Sequence, residues 1–121
     1  RHGVGIPWDK PAWVDGRLWP AWDGTTLWLP PGQHVVEAAR TAPNIRLLDF
    51  TGELMSAEAL PGSLAFAYRA SARALAVLDR KPGKLDIDGV RAELCAIQAD
   101  GRCVLFLPRG QHVVTLRVEP D

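Results

Sequence analysis

The sequence predicts an all-β domain, an antiparallel β-sandwich of immunoglobulin-like or jelly-roll-like type, built on an internally duplicated strand–turn–strand unit. Turn dipeptides punctuate the chain at short, fairly regular intervals: Asp15-Gly16, Asp23-Gly24, Pro31-Gly32, Pro61-Gly62, Pro82-Gly83, Asp88-Gly89, Asp100-Gly101 and Arg109-Gly110. Several segments between them alternate apolar and polar residues with the period of a strand. Residues 27–36 read LWLPPGQHVV and residues 105–114 read LFLPRGQHVV, identical at eight of ten positions.

The elements follow in order. Residues 1–10 read as an irregular lead-in with two glycines and Pro7. A hairpin around Asp15-Gly16 pairs Val14 with Arg17, Trp13 with Leu18 and Ala12 with Trp19. The Leu-x-Leu-Pro strand 27–30 ends at proline, which donates no ladder hydrogen bond, and a short helical turn is compatible with Val35–Arg40. The stretch Ala57–Leu78 is alanine-rich and helical by propensity. Pro61-Gly62 cuts it, however, and period two runs on either side, so Glu53–Leu60, Ser63–Arg69 and Arg73–Asp79 read as strands. Leu64, Phe66 and Tyr68 share one face. A second Asp-Gly hairpin pairs Ile87 with Val90, Asp86 with Arg91 and Leu85 with Ala92. Val114, Leu116 and Val118 close the pattern on one face. The repeat units therefore cover about 11–40 and 84–118, around a middle segment of roughly 41–84. A solenoid would need three or more such units, so this is a duplication.

Length and charge bound the function. With 121 residues the chain is one domain, 1–121. Hydrophobic residues make up 47%, enough for a core without metals or staples. Fourteen basic and fourteen acidic residues cancel, which argues against nucleic-acid or anionic-membrane partners. No apolar run reaches the length of a membrane span and no signal peptide is read. The chain starts at Arg1, which suggests a processed or excised piece of a longer protein.

All five tryptophans fall within the first 28 residues, and the second copy serves as their control. There, Leu85 and Ile87 form the core face while Asp86, Arg91 and Glu93 form the wet face. Transferred to the first copy, this puts Trp13 on the wet face with Leu18. Trp22 joins it if the strand runs on past Pro20. Trp19 falls on the core face, and Trp28 takes the place of Phe106. Exposed indoles on a rigid sheet would stack on the C–H faces of sugars, with hydroxyls bonded at the edge by Asp15, Arg17 and Asp23. Trp13 and Trp22 are the leading candidates, with Trp8 and Trp19 behind them. The alternative is that the cluster packs on an adjoining domain, or on a second copy as a homodimer.

Other signals are weaker. His34 and His112 are copies of one motif and need one structural explanation, so no metal site is expected. Cys95 and Cys103 flank Asp100-Gly101, but a tight hairpin would set Ile97 or Gln98 opposite Cys103, which leaves their pairing open. No catalytic signature appears; Glu53, Glu58 and Glu93 are scattered, and no cofactor motif or calcium-ligand pattern is visible. No enzyme activity is expected.

The segments Leu64–Arg69, Arg73–Asp79 with Lys81-Pro82, Leu85–Gly89 and Leu107–His112 resemble the accessory β-sandwich at the C-terminus of many bacterial glycoside hydrolases. The Leu-Pro-x-Gly-x-His-x-Val unit also resembles the short PEGA-type surface repeats. The resemblance covers about two thirds of the chain. It implies a secreted, polysaccharide-related setting, a catalytic domain on the same parent chain and a non-catalytic role. The Trp-rich first copy resembles carbohydrate-binding modules, and the resulting expectation is binding of a plant-type polysaccharide such as β-glucan, cellulose or hemicellulose. No family motif fixes the Trp positions, so no binding residue is carried over.

Overall fold

At Asp15-Gly16 and Asp88-Gly89 both residues adopt positive φ, 51° and 81° in the first turn and 53° and 81° in the second. That is the type I′ geometry whose twist matches the flanking strands. These turns set the register of an all-β antiparallel sandwich. The computed structural model describes residues 4–93 and 96–118, with residues 96–99 described by backbone alone, and among them no helix occurs.

The strands, in chain order, are β1 (Val4–Pro7), β2 (Ala12–Val14), β3 (Arg17–Leu18), β4 (Thr26–Leu29), β5 (Val36–Ala38), β6 (Leu47–Phe50) and β7 (Glu53–Leu60). They continue as β8 (Ser63–Ala70), β9 (Ala74–Leu78), β10 (Lys84–Ile87), β11 (Val90–Ala92), β12 (Ala96–Ala99), β13 (Arg102–Leu107) and β14 (Gly110–Arg117). One sheet runs β11-β10-β14-β8-β7 and a second β12-β13-β9-β6; the first copy contributes β3-β2-β5 and β1-β4. The Ala-rich middle is strand throughout, because alternation buries Leu64, Phe66 and Tyr68 on one face and overrides helical propensity.

The duplication is exact in register. Ala12 faces Ala38 and Val14 faces Val36, as Leu85 faces Leu116 and Ile87 faces Val114. The unit is also one strand longer than the sequence indicates. β1 pairs with β4, Val4 to Leu29 and Ile6 to Leu27, as β9 pairs with β13, Ala74 to Leu107 and Ala76 to Leu105. The expected irregular lead-in is therefore strand from Val4 to Pro7. Gly5 disguises it: the Trp28 ring lies over this glycine, where a Cβ would come within 2.4 Å of Trp28 Cζ3. The helical turn expected around Val35–Arg40 is instead β5, held by backbone bonds from Asp15 N–H to the Val35 carbonyl and from Ala39 N–H to the Pro11 carbonyl.

The two copies join laterally through the middle segment. β6 pairs with β9 on one side, and Leu47 N–H donates to the Pro20 carbonyl of the first copy on the other. β3 lies beside the free edge of β7, within 8 Å between Cα atoms and so nearer than face-to-face sheets pack. A continuous core runs through both copies. At its centre Phe50 meets Phe66 and Tyr68 edge-on, with centroids 5.5 and 5.2 Å apart, a geometry that adds roughly 0.5–1.5 kcal/mol per pair beyond area burial. The Cys95–Cys103 pairing lies outside the described residues. Cys103 itself is buried and stands opposite Gln98.

Candidate functional site

The five tryptophans separate sharply. Trp19 is buried on the core face as expected, and its Nε1–H donates to the Trp28 carbonyl at 2.8 Å. Trp22 is also buried, at 7% exposure, which corrects its expected place on the wet face. Its Nε1–H donates to the Trp8 carbonyl at 2.8 Å, and the Arg46 guanidinium lies 5.2 Å from its ring centre. The parity argument fails at Pro20, where the strand breaks and Trp22 N–H turns back to the Pro20 carbonyl. Beyond that break Trp22 bridges to Leu27, in the place where Ala96 pairs with Leu105. Trp8 and Trp28 are half-buried against the core, and Trp8 Nε1 is buried with no hydrogen-bond partner among the described residues. Only Trp13 presents a substantially open ring, at 42% exposure. It borders a shallow hollow with Leu18, Ala38, Arg40 and Thr41.

The polar candidates are drawn into the fold as well. Asp23 Oδ1 accepts from Thr25 N–H, Thr25 Oγ1 and Thr26 N–H, fastening the turn into β4. Asp15 Oδ2 meets His34 Nδ1 at 2.7 Å, and its Oδ1 accepts from Val35 N–H at 2.9 Å. Arg17 is exposed, beside a second hollow lined also by Asp15, His34 and Met55. Trp13 and Trp22 do not share a surface, so the two leading stacking residues do not form a platform.

The residue set that the sequence did not single out is a pair of matching Asp–His clamps. Asp88 Oδ2 meets His112 Nδ1 at 2.6 Å and Asp88 Oδ1 accepts from Val113 N–H at 2.9 Å, repeating the Asp15 arrangement. The other ring nitrogen faces a backbone carbonyl in each copy, His34 Nε2 to Pro30 at 2.8 Å and His112 Nε2 to Arg109 at 2.8 Å. A carboxylate and a carbonyl both only accept, so the ring satisfies both when it is an imidazolium donating twice. The aspartate hydrogen bond accordingly raises the pKa of both histidines, and the histidine hydrogen bond lowers that of both aspartates. Each clamp ties the Asp-Gly hairpin turn to the Pro-x-Gly-Gln-His turn. Because the Asp and the His recur in both copies, they belong to what the unit needs in order to fold.

No group of three or more His, Cys, Asp or Glu side chains converges among the described residues. Glu53 is paired with Arg69 at 2.8 Å and Asp79 with Arg46 at 3.1 Å. Burial pushes the Tyr68 hydroxyl up to about 12, with the nearby Asp88 charge adding to it, so this group stays protonated; it donates to the Pro108 carbonyl at 2.6 Å. Comparisons with protein-family models, curated proteins and solved structures give no match.

Proposed function

We propose that this chain is a non-catalytic structural sandwich that works by docking against neighbouring protein. The observation that carries this reading is the commitment of the candidate side chains to the fold. Trp19 and Trp22 are core residues bonded to backbone carbonyls. Asp15 and Asp23 fasten turns, and both histidines are clamped between acceptors. What the surface offers instead is sheet edge and scattered apolar side chains such as Val4, Trp13 and Val35. An extracellular setting, beside a catalytic domain on the same parent chain, is part of this proposal.

A second reading rests on Trp13 alone. Its open indole, with Arg40 and Thr41 at the rim of the hollow, has the chemistry to stack one sugar ring and bond its hydroxyls. Affinity electrophoresis in soluble β-glucan, xylan and mannan, with pull-down on cellulose, separates the two. Docking predicts no retardation on any of them. Retardation that disappears in Trp13→Ala overturns docking in favour of a plant-type polysaccharide.

A further inference from the structure

Among the described residues the second copy is paired at edges that the first leaves open. β14 has strands on both sides, β10 and β8, whereas among the described residues β5, its counterpart, pairs with β2 alone. Likewise β9 lies between β13 and β6, whereas among the described residues β1 pairs with β4 alone. Among the described residues no equivalent of the β6–β7–β8 segment covers β5 or β1.

Burial at matched positions records the difference. Val114 and Leu116 on β14 are 0% exposed, while their counterparts Val36 and Ala38 are half-buried and exposed. Ala74 on β9 is 1% exposed, while its counterpart Val4 is 54% exposed. The Val35 carbonyl accepts from Asp15 N–H and Ala39 N–H donates to the Pro11 carbonyl, so both residues face the β2 side. By strand alternation the amides and carbonyls of Val36 and Ala38 point to the open side. Their counterparts Val114 and Leu116 face Phe66 and Leu64 of β8.

The first copy also keeps the groups that receive β8 in the second. Tyr68 of β8 packs on the His112 ring at 5.7 Å and donates to the Pro108 carbonyl. The counterparts His34 and Pro30 are present, and there His34 Nε2 bonds the Pro30 carbonyl itself. A unit-to-unit contact of this kind already exists within the chain, where β7 lies beside β3 and β6 bonds Pro20.

We infer that the open edge formed by β5 and β1 is a docking edge for a β6–β7–β8 segment from a further copy of the same unit, adding an antiparallel strand to β5 and extending both sheets laterally. This rests on the docking reading and names its partner. In the order of the repeat these strands come directly before the unit they complete, which favours a donor tethered ahead of the first unit over a separate chain. β5 is the stronger acceptor, since Pro7 removes a donor from β1 where β9 has Val77.

The test adds a second copy of residues 41–70 ahead of Arg1 in the whole chain, so that Arg1–Gly3 stand where Ser71–Arg73 stand in the second unit. Tethering supplies the high effective concentration that a free peptide lacks. Amide hydrogen exchange is read at Val36 and Ala38, with Val114 and Leu116 as folded-state controls. The expected result is exchange slowed by about tenfold or more at both amides in a monomer. Ala38→Pro, which removes the outward donor, should return the Val36 amide to its rate in the unextended chain. Unchanged rates at Val36 and Ala38, with the controls protected, overturn the inference. So does protection that appears only with a doubled mass in sedimentation, since the occupant is then a second chain. Failure here without polysaccharide retardation removes the edge assignment and leaves docking by another face standing.

Discussion

Replacing Trp22 by alanine tests whether this residue is core or surface. The ring is 7% exposed, donates one hydrogen bond of 2.8 Å and lies 5.2 Å from a guanidinium carbon. Truncating a buried Trp to Ala costs about 3–5 kcal/mol in lost transfer energy and residual cavity. The lost hydrogen bond, about 1 kcal/mol, and the cation–π contact, about 0.5–1 kcal/mol, place the change toward the upper end of that range. Domains of this class hold only about 5–15 kcal/mol in all. With a urea dependence of about 1.5 kcal/mol/M, the unfolding midpoint should fall by about 3 M. Far-UV circular dichroism is the readout, because it does not depend on the indole removed. Trp22→Phe keeps a core in place and should cost about 1–2 kcal/mol, so the comparison survives if the alanine variant does not fold. Trp13→Ala, at an open position, should stay within about 0.5 kcal/mol. A Trp22→Ala midpoint no lower than that of Trp13→Ala would refute the core assignment.

Two further perturbations follow from the clamps and from the hidden first strand. Both histidines have pKa values raised above 6.5, so their stabilisation is full below 6.5 and is lost as pH rises through the higher folded value. Asp15 and Asp88 are lowered from 3.8, so theirs is full above 3.8 and is lost as pH falls through the lower folded value. Calorimetry should therefore show Tm highest between these limits and declining on both sides, with Asp15→Asn plus Asp88→Asn flattening the profile; a wild-type Tm that is flat into the alkaline range contradicts the imidazolium assignment. Gly5→Ala would place a Cβ 2.4 Å from the Trp28 ring, an overpacking cost of about 1–3 kcal/mol measurable as a lowered Tm; an unchanged Tm contradicts the close packing of Trp28 on β1.

The turn chemistry was legible in the sequence because Asp-Gly and Pro-x-Gly restrict the backbone locally. The pairing of both hairpins and the strand character of the Ala-rich middle follow from those turns and from period two. Trp22 was not legible, because side-chain parity holds only while a strand is continuous and Pro20 breaks it. β1 was hidden by its glycines, which supply no alternation; the ring that covers Gly5 comes from another strand. The fold role of Asp15 lies in a pattern among polar residues. Asp88 and His112 repeat Asp15 and His34, and that recurrence marks all of them as part of the fold.

Amide exchange in the unmodified monomeric chain reads the difference between the covered edge of β14 and the open edge of β5. Val114 and Leu116 on β14, bonded on both sides, should show protection approaching that of global unfolding, while Val36 and Ala38 on β5 should exchange at least about a hundredfold faster. Equal protection at the four amides in a verified monomer would mean that the edge of β5 is not open.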